Sequence, residues 1–355
     1  MPPSQKTILM LGAGGFIGSH LVEHLLRVTN HRIIGLDQSA EKLEGIGGGN
    51  FTFHQQDLRK AWDFLEKLLP ETDVVVDLIA HANPSMYVSS PLEVFDLNFV
   101  QNLEVAQLCV RYRKRLIQYS SAEVYGKNTI GDRYSEDTSD LVFGPIHKQR
   151  WIYAASKALL ERVLYAHGVE GRLDYTIVRP FNFIGSRIDY LVPAHAMGGP
   201  RVFPHFMSAL LTGGPLRLVD GGLVNRSFTH IEDANRAFEI LLEHPQARCG
   251  IFNVGNPANN VTIREVALMM VELYTEITGE RPSSEVIEIS GEEFYGTGYE
   301  DATRLPPDIT KMQALGWVPR HDLRTAFRDA MEYYCRGHQR SAVEEQVTPL
   351  KTRAG

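Results

Sequence analysis

Four short, largely aliphatic runs, Thr7–Leu11, Arg32–Leu36, Val74–Ile79 and Arg115–Tyr119, mark the first third of the chain at strand length. Between them apolar positions recur at helical spacing over 15–28, 60–69 and 91–111. That alternation predicts repeated strand–helix–strand units. Right-handed crossovers of this kind build a doubly wound parallel sheet whose ligands bind at the carboxyl ends of the strands. A further helical pattern at about 151–168 leads into Leu173–Val178, and Arg179–Pro180 ends the regular alternation. Segments 181–226 and 258–335 are richer in Gly, Pro and mixed patterns, whereas 227–256 reads as a return to the sheet. The expected organisation is an α/β fold in which 1–180 plus about 227–257 form the main domain. A smaller, discontinuous α/β lobe comes from 181–226 plus about 258–337, and 338–355 is an unassigned tail.

A length of 355 residues agrees with one large domain plus a smaller lobe. With 43% hydrophobic and 22% charged residues, the chain reads as globular rather than disordered. A net charge of −7 without a clustered basic stripe argues against a nucleic-acid partner. The opening MPPSQKTILMLGAGG has neither a charged leader nor a long apolar stretch, so the expectation is a cytoplasmic protein with no membrane association. Cys109, Cys249 and Cys335 are too scattered for a disulfide framework or a zinc site, and no metal is expected.

The first strand runs into Gly12-Ala-Gly-Gly15-Phe16-Ile17-Gly18 and then a helical pattern, the order of a dinucleotide-binding (Rossmann) turn. Gly12 permits the turn, Gly15 lets backbone approach a pyrophosphate, and Gly18 allows close helix packing, with the helix N-terminus facing the anion. Asp37 ends the second strand, where a carboxylate can bind ribose hydroxyls and repel a 2′-phosphate, favouring NAD; a turn or capping role is the competing reading. Asp57, and Ala80 just past the third expected strand, complete the candidate cofactor residues with Phe16, Ile17 and Lys157. Gly45–Gly49 follows no strand and opens no helix, so it reads as a flexible loop.

Tyr153 and Lys157 stand four apart in a helical pattern and share a face. A nearby ammonium favours the phenolate, so the expectation is a tyrosine drawn down from about 10 toward a working general base. Ser121, just past the fourth of these strands, is the expected third member that orients the reacting hydroxyl.

With the glycine loop, Ser121 and the Tyr153–Lys157 pair in place, the chain resembles the extended short-chain dehydrogenases/reductases that act on nucleotide sugars. The stretches SAEVYG, KQRWIYAASK, TIVRPFNFIG, LRLVDGG, IFNVGNP and EFYGTGYED narrow the resemblance to plant UDP-apiose/UDP-xylose synthases. They are similar, more loosely, to the UDP-glucuronate decarboxylase domain of polymyxin-resistance enzymes. The resemblance implies an NAD cofactor, a UDP-sugar substrate and a homodimer pairing the helices near 91–111 and 151–168. It places Asn182 and Arg226 on the sugar-nucleotide diphosphate and Arg150 beside the sugar carboxylate, with a structural ion pair as the competing role for Arg150. Glu123 stands where decarboxylases and 4,6-dehydratases carry a glutamate and 4-epimerases carry small or hydroxyl residues. It would act as acid or base at C5. The implied reaction is oxidation of UDP-glucuronate at C4, then loss of carbon dioxide, giving a UDP-pentose or UDP-4-keto-pentose. A 4-epimerase or 4,6-dehydratase is the alternative, and a non-catalytic NAD-dependent sensor a more distant one.

Three positions depart from the pattern. Ala82 and Ala122 replace two active-site cysteines of the apiose-forming enzymes, which speaks against ring contraction. Where the decarboxylases use an arginine after GYxD, this chain has Leu305, with Arg304 one residue early, so the carboxylate contact depends on where Arg304 points. Three histidines, His20, His24 and His81, read as structural or strand-end residues, and Trp151 as packing beside the catalytic helix.

Overall fold

A computed structural model of the chain describes residues 5–193, 195–199 and 201–337; the tail expected over 338–355 lies outside them. The first half runs β1 (Thr7–Leu11), α1 (Phe16–Val28), β2 (Arg32–Asp37), β3 (Phe51–Gln55), α2 (Trp62–Leu68), β4 (Val74–Asp77), α3 (Pro84–Ser89), α4 (Pro91–Phe95), α5 (Asn102–Tyr112), β5 (Arg115–Tyr119) and α6 (Ile152–Val169). The second half continues with β6 (Tyr175–Pro180), β7 (Phe183–Ile184), α7 (Val202–Thr212), β8 (Leu216–Val219), β9 (Asn225–Ser227), β10 (Thr229–His230), α8 (Ile231–Glu243) and β11 (Gly250–Val254). It closes with β12 (Asn260–Thr262), α9 (Ile263–Thr278), β13 (Val286–Ile289), α10 (Gly291–Tyr295), α11 (Thr310–Ala314) and α12 (Leu323–Cys335).

Seven strands form one parallel Rossmann sheet in the order β3-β2-β1-β4-β5-β6-β11. Leu9 on β1 lies between Ile34 on β2 and Val75 on β4. Ile8 and Met10 feed one core, with α1 and α8; Leu9 and Leu11 feed the other, with α5 and α6. A central parallel strand covered on both faces needs apolar residues at every position, which is why these runs do not alternate. The strand order reverses between β1 and β4, opening a crevice at their carboxyl ends. The other strands form three pairs, β7 with β10, β9 with β12 and β8 with β13. None of the described helices is long and apolar enough to cross a membrane.

Three local features differ from the sequence expectation. The apolar run expected at 173–178 slides two residues, so β6 ends on Pro180, where Val254 is its neighbour on β11. β3 has no aliphatic run because it is an edge strand with partly exposed positions. The helix expected over 91–111 is broken by a π-helical segment, Asp96–Gln101. That wider turn carries the buried Asn98, whose amide clamps the loop after β4: Oδ1 accepts from the His81 N–H at 2.7 Å and Nδ2 donates to the His81 carbonyl at 3.2 Å.

Candidate active site

The glycine loop turns at Gly12, whose φ of +86° suits a residue without a side chain. A Cβ on Gly18 would lie 2.1 Å from the Gly12 carbonyl oxygen, so α1 packs on the loop only because Gly18 lacks one. At Gly15, the N-cap of α1, a Cβ would meet only that carbonyl, at 3.3 Å. No side chain caps this helix and its first turn holds no acid, so its N–H groups and dipole suit an anion such as a pyrophosphate. Asp37 accepts from the Gly14 and Ser39 amides at 3.0 and 3.1 Å, and burial raises its carboxyl. It therefore ties β2 to the glycine loop, which combines the turn role with a carboxylate beside the cofactor cradle. Asp57 is engaged otherwise, capping a short 3-10 turn through the Arg59 amide and pairing with the Arg59 guanidinium at 2.9 Å.

A cleft of about 1660 Å³, partly open to solvent, joins this loop to the second half of the chain. Ile17 and Ala80 line it beside Ser121, Glu123, Arg150, Tyr153, Asn182 and Arg226. Phe16, the first residue of α1, is buried and packs edge-on against His20. Ser121 Oγ accepts from the Glu123 amide at 3.1 Å, and the hydroxyls of Ser121 and Tyr153 share a hydrogen bond. Tyr87 on α3 stacks on Tyr153 at 4.8 Å. Lys157 is buried and donates to the Tyr119 carbonyl at 3.0 Å. The expected lowering of Tyr153 by Lys157 is not found. Burial pushes the phenol up to about 12 against the Ser121 hydrogen bond, while burial brings Lys157 down to about 8 against the charges of Asp77 and Glu161.

Glu123 is the centre of the charged half. Its Oε2 accepts from Arg150 at 2.5 Å and from Arg304 at 2.9 Å. Burial favours its neutral form, but Arg150, Arg304 and Arg226 outweigh that and hold the carboxyl well below the usual carboxylate range. It is thus an ionised acceptor with no proton to give, which corrects the acid half of its expected role. Arg150 is in an ion pair, the competing role foreseen for it. Its guanidinium and that of Arg304 lie 4.6 and 5.7 Å from the Trp151 ring, whose N–H donates to Glu300 at 2.7 Å. Trp151 is therefore a platform for the arginines as well as packing. Despite its one-residue offset, Arg304 reaches Glu123, while Leu305 packs with Val124, Tyr134 and Phe181. Arg304 lies in a smaller cavity adjoining Ser121, Asn182 and Arg226.

Arg226 bonds Asp301 Oδ1 at 2.5 Å and the Ala302 carbonyl at 3.0 Å, and Asn182 donates to the Ser227 carbonyl at 3.3 Å. Asp301, which also lies 3.9 Å from Arg150, and Tyr87 carry no signal of their own in the sequence, because their partners are distant in the chain. His20 and His24 bond the Ser186 carbonyl and Glu239, away from the cleft. His230, Glu232 and His321 cluster closely enough to suggest a metal, but His230 Nδ1 accepts from the Glu232 amide. That leaves the proton of the neutral ring on Nε2, facing Asp329, and no lone pair there for a cation.

Residues 8–255 match the model of the "NAD dependent epimerase/dehydratase family". The chain is 39% identical to the UDP-D-apiose/UDP-D-xylose synthase of Oryza sativa subsp. japonica, an alignment covering 98% of this chain and 93% of the rice protein. It is 40% identical to UDP-D-apiose/UDP-D-xylose synthase 2 of Arabidopsis thaliana, covering 94% and 92%. The crystal structure of the PbgP3 protein from Burkholderia pseudomallei superposes with a TM-score of 0.84 at 34% identity, covering 96% of this chain and 99% of that one.

Proposed function

The chain belongs to the NAD-dependent epimerase/dehydratase family, and from that premise we propose that it oxidises C4 of UDP-glucuronate and decarboxylates the product to a UDP-pentose or UDP-4-keto-pentose. The observation that carries the reading is the convergence of Arg150 and Arg304 on Glu123, next to the Ser121–Tyr153 pair. A site for a neutral sugar has little use for two guanidiniums around the reacting carbons, whereas a sugar carboxylate does.

The uncapped N-terminus of α1 and the open face of Gly15 fit a dinucleotide, with Asp37, Ile17, Ala80 and Lys157 around it. Bound there, NAD supplies the acceptor for the C4 hydride. The Tyr153 phenol, brought down from about 12 by the positive charge of bound NAD, takes the 4-hydroxyl proton as the phenolate while Ser121 orients that oxygen. The new ketone is β to the C6 carboxylate, so the C5–C6 bond breaks, carbon dioxide leaves, and the bonding electrons pass to the C4 oxygen. The Tyr153 phenol, now carrying that proton, hydrogen-bonds to the enolate oxygen, and C5 takes its proton from water to give the 4-keto-pentose, which is freed or is reduced again at C4 as Tyr153 returns its proton to the oxygen. Arg150 and Arg304 orient the carboxylate before it leaves, and ionised Glu123 holds both cations and serves only as an acceptor. Arg226 and Asn182 take the diphosphate. With Ala82 and Ala122 at the two thiol positions, the product keeps its ring.

We also assign a homodimer through α4–α5 and α6, whose exposed Leu92, Val100, Leu159 and Tyr165 would be covered, and which sedimentation would check. A cytoplasmic setting agrees with the free thiols of Cys109 and Cys249.

The test is incubation with NAD and, separately, UDP-glucuronate, UDP-glucose and UDP-galacturonate, following carbon dioxide and product masses. Release of carbon dioxide from UDP-glucuronate is expected, with net NADH if a 4-keto product is freed. An isomer of unchanged mass would make the enzyme a 4-epimerase, and loss of water from another sugar a 4,6-dehydratase. No turnover of any substrate with intact NAD binding would point to a sensor.

A further inference from the structure

On the sheet face covered by α5 and α6, the last inward positions of three neighbouring strands are polar. Asp77 on β4, Gln118 on β5 and Arg179 on β6 continue the rows of Val75, Leu116 and Ile177. Arg179 is satisfied by Glu161 at 2.6 and 3.0 Å and by the Tyr125 hydroxyl at 2.9 Å. Asp77 is not. It is fully buried; Oδ1 accepts from the Ile79 amide at 3.0 Å, and Oδ2 has no hydrogen-bond partner among the described residues. Such a carboxylate is costly unless a cation lies beside it. Lys157 acts on it without a direct contact: its ammonium donates to the carbonyl of Tyr119, the residue after Gln118, which is the register neighbour of Asp77, and Asp77 is in turn the strongest anionic influence on Lys157, ahead of Glu161.

We propose that Asp77 is a positioning residue whose carboxylate is the buried counter-ion of Lys157, keeping that ammonium charged and fixed on the Tyr119 carbonyl behind the reacting hydroxyls. This rests on the reading of Lys157 as a catalytic and cofactor-binding residue. Burial raises Asp77 to about 6 and brings Lys157 down to about 8, so both are ionised between those values. Of the other groups around the pair, Glu161 on α6 is committed to Arg179 on β6, and burial pushes the Cys109 thiol on α5 far up. Tyr153 on α6 is likewise raised by burial. None of them can replace the missing anion.

The decisive variant is Asp77→Asn, read by the pH dependence of NAD affinity and of bound-NAD reduction by UDP-sugar. The alkaline limb, near pH 8 in the parent, should move about one unit or more toward acid, making the variant roughly tenfold weaker than the parent above the shifted limb. Gln118 is the register neighbour of Asp77, so adding Gln118→Glu should return the limb toward the parent. Superimposable limbs in parent and Asp77→Asn would overturn the proposal. Unfolding equilibria of Asp77→Asn, Lys157→Met and the double variant supply a ligand-free check. Non-additivity of about tenfold in the equilibrium constant is expected at pH 7, fading below about 6 and above about 8. Additivity at pH 7 would likewise overturn it. If UDP-glucuronate is not turned over but NAD affinity and the cycle behave as described, the proposed reaction fails and the counter-ion stands.

Discussion

Glu123 receives two guanidiniums through one carboxylate oxygen, and both arginines have a buried Nε with no hydrogen-bond partner among the described residues. Glu123 is therefore the carboxylate in direct contact with both, Asp301 at 3.9 Å from Arg150 being paired with Arg226. Glu123→Gln keeps the shape and an acceptor but leaves two cations facing each other, so it should cost about 2 kcal/mol or more in urea unfolding at pH 7. The pH dependence has a definite sign. The folded carboxyl lies below its unfolded value, so its stabilisation is complete above the ordinary glutamate range and is lost as pH falls through the depressed folded value. The gap between parent and variant should stay constant from pH 7 to 5 and close only below about pH 4. A gap that closes between 7 and 5 would show that Glu123 is not held this way. The Tyr153–Lys157 pair was legible because both residues lie on one helix face. Asp77 and Asp301 were not, because a carboxylate's meaning here depends on cations brought from another strand or loop.

At the scale of elements, the glycine loop and α1 were readable from one continuous stretch, 7–28, because turn, close approach and helix start are all local requirements. The break in the helix over 91–111 was not, because the apolar spacing runs on through the π-helical segment; what it achieves is the Asn98 clamp on His81. Gly18 offers the sharpest test of the first element. A methyl group there would lie 2.1 Å from the Gly12 carbonyl oxygen, so α1 must shift away from the turn. Gly18→Ala should cost about 1–3 kcal/mol in stability, and NAD affinity by titration calorimetry should fall by more than about tenfold. Unchanged affinity would remove the N-terminus of α1 as the pyrophosphate site.

The whole molecule assembles its charged site from distant segments: Glu123 after β5, Arg150 before α6, Arg226 on β9, and Asp301 and Arg304 after α10. Three guanidiniums face two carboxylates, leaving one positive charge in excess. A UDP-sugar acid brings a diphosphate and a carboxylate to segments that otherwise meet only through these pairs, so binding should couple them. Ligand at a hundred times Kd stabilises the folded state by about 2.7 kcal/mol, enough to raise Tm by a few degrees. UDP-glucuronate should exceed UDP-glucose in this shift at equal concentration, and the difference should shrink with added salt and in Arg304→Leu, because only the acid engages the Arg150–Arg304 pair. Hydrogen exchange should show protection rising together at 121–126, 149–151, 225–228 and 299–304. Equal shifts for the two sugars, with protection confined to the 225–228 segment, would mean that only the UDP moiety is bound and that the two arginines serve Glu123 alone.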